Sequence, residues 1–373
     1  MLCRRRFLVA TGAAGVTALL GRPAGAQAPA VPGKEALIVR SLRPVNLETP
    51  IDRLTTYLTG PDVLFVRNNY DAPGADAEHW TIRVDGEVDR SMRLELEDLR
   101  RLPTVRVDAV LECAGNGRAL QRPRAPGIQW ERGAVGNVRW TGVRLADVLD
   151  TAGVRPGARH VVLDGADVPP TDQAPDFARS IPLDKARDPR TIVALEMNGA
   201  PIPHLHGGPA RVVVPGWTAA ASVKWIAQLT LAPQEFDGPF MRRAFRVPAP
   251  GGRATVALPA LDVKSVVVAP REGGRRRAGL VEVSGWAWAG EAELTGLDVS
   301  TDGGRTWSAA TWDGTWERYS WRRWRYVWAA APGRARLMAR AADADGQVQP
   351  AVHVANPLGY RWNVIHTVDI DVV

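Results

Sequence analysis

Asp108-Ala-Val-Leu-Glu-Cys-Ala-Gly-Asn-Gly-Arg118 is the stretch on which the reading of this chain turns. The apolar run Val105 to Leu111 predicts a strand, and Ala-Gly-Asn-Gly predicts a loop after it. Cys113 stands at the junction. The chain has two cysteines, and Cys3 falls in a segment read below as a cleaved leader. The mature protein then keeps one thiol, with no partner for an intramolecular disulfide. A soft thiolate at a strand-to-loop junction, with Arg118 nearby, suits a metal ligand or a nucleophile. The competing reading of a lone cysteine is a small buried hydrophobe.

Working outward, residues 1–26 read as an export signal. Adjacent arginines, Arg4 to Arg6, precede Phe-Leu in a twin-arginine pattern. A short Gly/Ala-rich apolar segment, Leu8 to Leu20, leads to Ala24-Gly25-Ala26, a cleavage site. Twin-arginine export carries folded proteins, so a periplasmic location is expected. The formal charge of +7 includes four arginines and no acids from this leader, leaving +3 for the mature chain. No nucleic-acid-binding module accompanies that charge, and no nucleic-acid partner is expected.

Three further stretches carry candidate site residues. Leu64-Phe-Val-Arg-Asn-Asn69 ends a strand-like run in turn residues and contains Arg67, which on its own reads as a surface charge. His206-Gly-Gly-Pro-Ala-Arg211 leads into a fully apolar strand, with Gly207 and Gly208 expected to let backbone approach a bulky ligand. Its His206 and Arg211 can hold a phosphate or can be a turn histidine and a surface arginine. Ser222-Val-Lys224 follows, and Lys224 is a point charge suited to phosphate. His160 and His204 read as structural. There is no Gly-x-Gly-x-x-Gly fingerprint or Walker loop, so any phosphate site is built from side chains. One mature cysteine and six scattered histidines give no zinc spacing.

From about Pro61 to the C-terminus these motifs resemble the sulfite oxidase family of molybdenum enzymes. The resemblance implies an α+β, mostly β chain: a sulfite oxidase-type molybdopterin domain (27–250), then an immunoglobulin-like β-sandwich (256–373) that mediates homodimerisation. It implies that Cys113 ligates a mononuclear molybdenum carrying one molybdopterin. Phe65, Val66, Asn68, Asn69, Asp167, His206, Arg211, Ser222, Val223 and Lys224 would border that cofactor. Arg67, Arg118 and Phe245 would face the substrate. Asn69 stands where many members have His, Phe245 where they have Tyr, and Thr367 is placed at the second substrate arginine of eukaryotic members. Asp167, from its own neighbours, reads as a turn carboxylate.

Other expectations come from the residues themselves. Trp80 to Val88 and His160 to Leu163 predict strands, Leu94 to Leu102 a short helix, and Trp140 to Val148 a turn entering a helix. Pro248 to Gly252 reads as a linker. Beyond it, apolar runs at Val263–Val268, Leu280–Trp288, Leu294–Ser300 and Ala335–Ala341, with Asp-Gly turns, predict a β-sandwich. Nine of the fourteen tryptophans lie from Trp286 onward and suggest core or interface packing. The resemblance further implies oxidation of sulfite, or of a bound sulfane sulfur, with electrons passed to a cytochrome c. No haem motif is present in this chain. Reduction of a sulfoxide, fed by a membrane haem partner, and a metal-free dimeric scaffold are the alternatives.

Overall fold

The computed structural model describes residues 31–249, 251–252, 254–258 and 260–373. Cys3 and the leader of residues 1–26 lie outside the described residues. The strand Thr104–Glu112 pairs along its whole length with Val135–Arg144, which pairs in turn with Ile192–Met197. Arg211–Val213 joins the free edge of Ile192–Met197 beside the short strand Ala200–Pro201. A second, mixed sheet runs in the order Met92–Glu95, Thr81–Gly86, Ile226–Ala232, His160–Gly165, Ala178–Pro182. Ile82, Val84, Leu163, Leu229, Val193 and Val212 meet in one apolar cluster shared by these two sheets.

The C-terminal part is a pair of sheets around one core. One holds Lys264–Ala269, Gly279–Trp288, Arg322–Ala330 and Thr311–Asp313. The other is built on His366–Val372, Gly333–Asp343 and Leu294–Ser300. Val283, Val299, Leu337, Ala339 and Ile370 fill the space between them.

Strand alternation in Thr104–Glu112 explains how the two halves meet. Successive side chains point to opposite faces. Val107, Ala109 and Leu111 join the first half's cluster with Trp130 and Trp140, and Cys113 continues that side. Val110 instead packs with Trp286, Trp288 and Trp321 of the second half. Those tryptophans form the inter-half seam, where Trp286 Nε1 donates to the Leu54 carbonyl at 2.7 Å and Trp321 Nε1 to the Tyr57 carbonyl at 2.9 Å. Each ring buries roughly 150–250 Å², worth about 4–6 kcal/mol of transfer free energy. Glu112 points the same way as Val110. Its carboxylate, 5 % exposed, accepts from Lys264 Nζ at 2.6 Å, Trp288 Nε1 at 2.7 Å and Asn116 Nδ2 at 2.9 Å.

Several local expectations are corrected. Leu94 lies in a strand opposite Ile82, and the helix is only Leu96–Arg100. A capping box sets that start, because Glu95 N–H donates to the Asp98 carboxylate at 2.9 Å. Trp140 to Arg144 continue a strand, and the helix begins at Leu145. The strand from His160 runs on to Gly165. Pro248, in the expected linker, ends a strand Arg246–Pro248 that pairs antiparallel with Thr255–Ala257.

Lys264→Met strands the Glu112 carboxylate in the seam. It is expected to destabilise the protein by about 3–5 kcal/mol, read as a lower urea midpoint at unchanged m-value. Glu112→Gln in that background is expected to recover part of the loss.

Candidate active site

Cys113 opens onto a cleft of about 700 Å³, part of it open solvent. The loop behind it is held by its own residues. Cys113 N–H donates to the Ala134 carbonyl at 2.9 Å, and the Cys113 carbonyl accepts from Asn116 N–H at 2.9 Å. Asn116 also spans from Glu112 to Ala134 N–H, at 2.9 and 3.1 Å. Glycine is required at two places here. Gly117 has φ +92°, and a Cβ there would lie 2.2 Å from the Trp362 ring. A Cβ on Gly115 would lie 2.6 Å from the Arg118 guanidinium. Arg118 therefore sits behind the thiol loop, donating to the Leu358 and Ile128 carbonyls at 3.1 Å each. It supplies charge from there and is not part of the cleft wall.

The opposite walls are cationic. Arg67 lines the cleft and donates to Asn69 Oδ1 at 2.5 Å, to Asn46 Oδ1 at 3.3 Å and to the Asn68 carbonyl. Asn69, also on the wall, thus orients Arg67. Lys224 donates to Asn68 Oδ1 and, at 3.0 Å, to the Leu205 carbonyl. Arg211 donates to the His206 and Ser222 carbonyls at 2.8 and 2.7 Å, while its Nε, buried, has no partner among the described residues. His206 Nε2 lies 2.6 Å from Lys34 Nζ and 2.9 Å from the Pro61 carbonyl. Burial disfavours charge throughout this group. It draws Arg211 down to about 9 and Lys34 to about 8. Burial, with Arg211 and Arg67 nearby, pulls Lys224 well below its ordinary value, and burial beside Lys34 does the same to His206.

Asp167 is the one carboxylate on the cleft wall among the described residues, and burial raises it to about 6. Asp164, three residues earlier in the strand His160–Gly165, is likewise raised to about 6 by burial and by Asp176. Phe65, Phe177, Leu205 and Phe245 give the cleft its apolar surface, and Ala219 and Ala220 leave room beside Ser222.

The arrangement fits a phosphate-bearing cofactor with a soft metal. Arg67, Arg211, Lys224, Lys34 and His206, their charged forms disfavoured by burial, converge where a dianion would relieve them. No group of three or more His, Cys, Asp or Glu side chains able to hold a metal occurs among the described residues. A metal on the Cys113 thiolate would take its other ligands from a bound group.

Some expected positions belong elsewhere. The Val66 side chain packs with Leu37 and Leu47, and its N–H and carbonyl both pair with Leu47. Val223 lies in the first core, with its carbonyl accepting from Val212 N–H at 2.9 Å. Asn68 supports Lys224 from outside the cleft wall. Thr367 pairs with Met338 inside the C-terminal sheet and is not on the cleft. Gly207 and Gly208 serve the chain's own packing, since Cβ atoms there would lie 2.8 Å from the Lys224 side chain and 1.9 Å from the Ile202 carbonyl oxygen. Sequence reading also missed Lys34, Phe177, Arg179 and Tyr360. Only the Ala219-Ala-Ala221 run beside Ser222 offered a local signal for a roomy wall.

Two family descriptions match the chain: an oxidoreductase molybdopterin binding domain over residues 69–240 and a Mo-co oxidoreductase dimerisation domain over residues 255–373. Human mitochondrial sulfite oxidase is 35 % identical over 358 residues, covering 89 % of this chain and 65 % of that protein. The chain thus spans just under two thirds of the human protein's length. Sulfite oxidase of Gallus gallus is 35 % identical, covering 86 % of this chain and 74 % of its own length. The sulfane dehydrogenase SoxCD from Paracoccus pantotrophus superposes with a TM-score of 0.79 at 30 % identity, over 88 % of this chain and 84 % of that one.

The raised Asp167 carboxyl carries a pH signature. A carboxyl whose folded pKa lies above its unfolded value binds its proton more tightly when native. Its contribution to stability is full below the ordinary value of 3.8 and is lost as pH rises through about 6. Asp167→Asn, in protein purified without cofactor, is expected to gain stability over the parent at pH 7 and less at pH 4. Urea unfolding at the two pH values checks this.

Proposed function

This chain belongs to the sulfite oxidase family of molybdopterin oxidoreductases, and we propose that it oxidises sulfite or a bound sulfane sulfur. The observation that carries the reading is the placement of the Cys113 thiol on a cleft whose facing walls hold Arg67, His206, Arg211 and Lys224. A molybdenum held there with its molybdopterin would supply two-electron oxygen-atom transfer. Every other part of the task falls to side chains of this protein.

Arg67 binds the substrate anion. Its guanidinium keeps its charge, and the Asn69 and Asn46 amides hold the fork so that few conformations are lost on binding. Arg118, behind the thiol loop, adds positive potential without competing for substrate. His206, Arg211 and Lys224 would hold the cofactor phosphate, and Ser222 and Asp167 would offer the pterin polar partners. Ser222 Oγ is itself fixed by the Val214 N–H at 3.0 Å. Phe177 and Phe245 exclude water from the substrate side, which strengthens each charge contact.

The likeness to sulfite oxidases and to a sulfane dehydrogenase supports a sulfur substrate. Export by the twin-arginine route to the periplasm, with a cytochrome c as electron acceptor, is part of the same proposal and rests on the leader motif. The dimerisation-domain match supports a homodimer. Leu280, 82 % exposed on Gly279–Trp288, is an apolar side chain that such an interface would cover.

The testing experiment is sulfite-driven reduction of ferricytochrome c by purified, molybdenum-loaded protein. Rapid reduction is expected. Arg67→Met is expected to lower kcat/KM by about 10²-fold or more, since a charge-assisted bidentate contact is lost. Loaded protein inert toward sulfite and toward sulfane sulfur carriers would refute the proposal.

A further inference from the structure

Behind His206 stands a residue from the segment that precedes the strand Ile38–Leu42. Lys34 lies in a turn. Its N–H donates to the Val31 carbonyl at 2.9 Å, and its carbonyl accepts from Leu37 N–H at 3.0 Å. Val31 and Leu37, on either side of it, pack with Leu47, Val66 and Leu205. Leu205 is the neighbour of His206, so one apolar cluster fixes both the turn and the histidine. The Lys34 side chain is buried between them, the residue being 8 % exposed.

Three polar groups meet there. Lys34 Nζ lies 2.6 Å from His206 Nε2 and donates to the Pro61 carbonyl, whose oxygen is 2.9 Å from the same ring nitrogen. An ammonium has donors and no lone pair, so His206 Nε2 accepts from it. Burial draws Lys34 down to about 8, with Asp62 opposing, and it remains an ammonium at pH 7. A doubly protonated imidazole has no lone pair to offer, and burial beside Lys34 disfavours that form. The neutral ring therefore carries its proton on Nδ1.

Nδ1 has no hydrogen-bond partner among the described residues and is not sealed in the interior. His206 lines the cleft together with Arg211 and Lys224, and Nδ1 is the ring nitrogen left to it. In this tautomer the ring offers the cleft an N–H donor. In the other it would offer a lone pair, which repels an oxyanion.

We propose that Lys34 is a positioning residue for cofactor binding: it donates to His206 Nε2 and so holds the neutral imidazole in the tautomer whose Nδ1–H meets the cofactor phosphate. The inference rests on the phosphate reading of His206, Arg211 and Lys224, and it adds a residue that acts through the histidine without touching the ligand. A charged lysine behind a neutral ring gives the cleft a donor without burying a second full charge beside the first.

Lys34→Met removes the donor and leaves the Pro61 carbonyl as the partner of Nε2, so the ring proton is expected to move from Nδ1 to Nε2. Lys34→Arg keeps an N–H donor and is expected to keep the parental tautomer. Nitrogen NMR of the full chain, carrying isotope-labelled histidine and free of cofactor, reads the tautomer, and His206→Gln identifies the signal. Loss of pterin from molybdopterin-loaded protein during dialysis is measured alongside. Lys34→Met is expected to release pterin about 10-fold faster or more, as for a lost hydrogen bond to a charged group, and Lys34→Arg at close to the parental rate. A parent His206 protonated on Nε2 would overturn the inference whether or not the variants fold, and so would a tautomer that Lys34→Met leaves unchanged. Equal pterin release from parent and Lys34→Met, in protein that still oxidises sulfite, would overturn it and leave the proposed function standing. The expected tautomer shift in a chain that takes up no pterin from a cofactor-making host would sink the phosphate reading and leave the Lys34 contact in place.

Discussion

The buried Glu112 carboxylate is the constraint from which the site follows. It sits one residue before the thiol and is held by Lys264 and Trp288 from the second half and by Asn116 from the thiol loop. A desolvated carboxylate tolerates burial only with all its partners present. The end of the strand Thr104–Glu112 is thereby fixed against the C-terminal sandwich. Strand alternation then turns the next side chain, Cys113, into the cleft. The sandwich is thus structurally part of the site: it anchors the thiol loop through Lys264 and, through the Leu358–Tyr360 segment, backs Arg118 and Phe245.

A second constraint is electrostatic. Lys34, Arg67, His206, Arg211 and Lys224 converge around one cleft, and burial weakens the charged form of each. Such a cluster is costly for the protein alone and becomes favourable when an anion binds. Folding and cofactor binding are linked by this arrangement, because an anion that binds only the native state stabilises it by mass action. The linkage is in keeping with the proposal that the chain is exported in the folded state.

Much of this was legible in the sequence because the chemistry is local. Glu112 to Arg118 make a short loop, with Asn116 bonding back to Glu112 and glycines where side chains would collide. His206 and Arg211 are joined by a direct bond within five residues. The strands of the second half declare themselves by alternation and Asp-Gly turns. What stayed hidden depends on long-range contact. Lys34 meets His206 across 172 positions, and Tyr360 meets Phe245 across 115. No periodicity or spacing reports such a meeting. Motif reading also cannot separate a residue on the wall from the one beside it. Val66 and Val223 belong to cleft-bordering segments, yet alternation turns their side chains into cores. Thr367 was placed by alignment to a strand position whose neighbours are all within the sandwich.

The central claim is that the Cys113 thiolate holds molybdenum in the cationic cleft. Its most direct test is elemental and pterin analysis of the protein and of Cys113→Ser, each produced in a host that makes the cofactor. The account predicts stoichiometric molybdenum and pterin in the parent. In the variant the phosphate cradle is intact, so pterin is retained in part while molybdenum is largely lost. Molybdenum held equally well without the thiol, or absent from the parent, would contradict it.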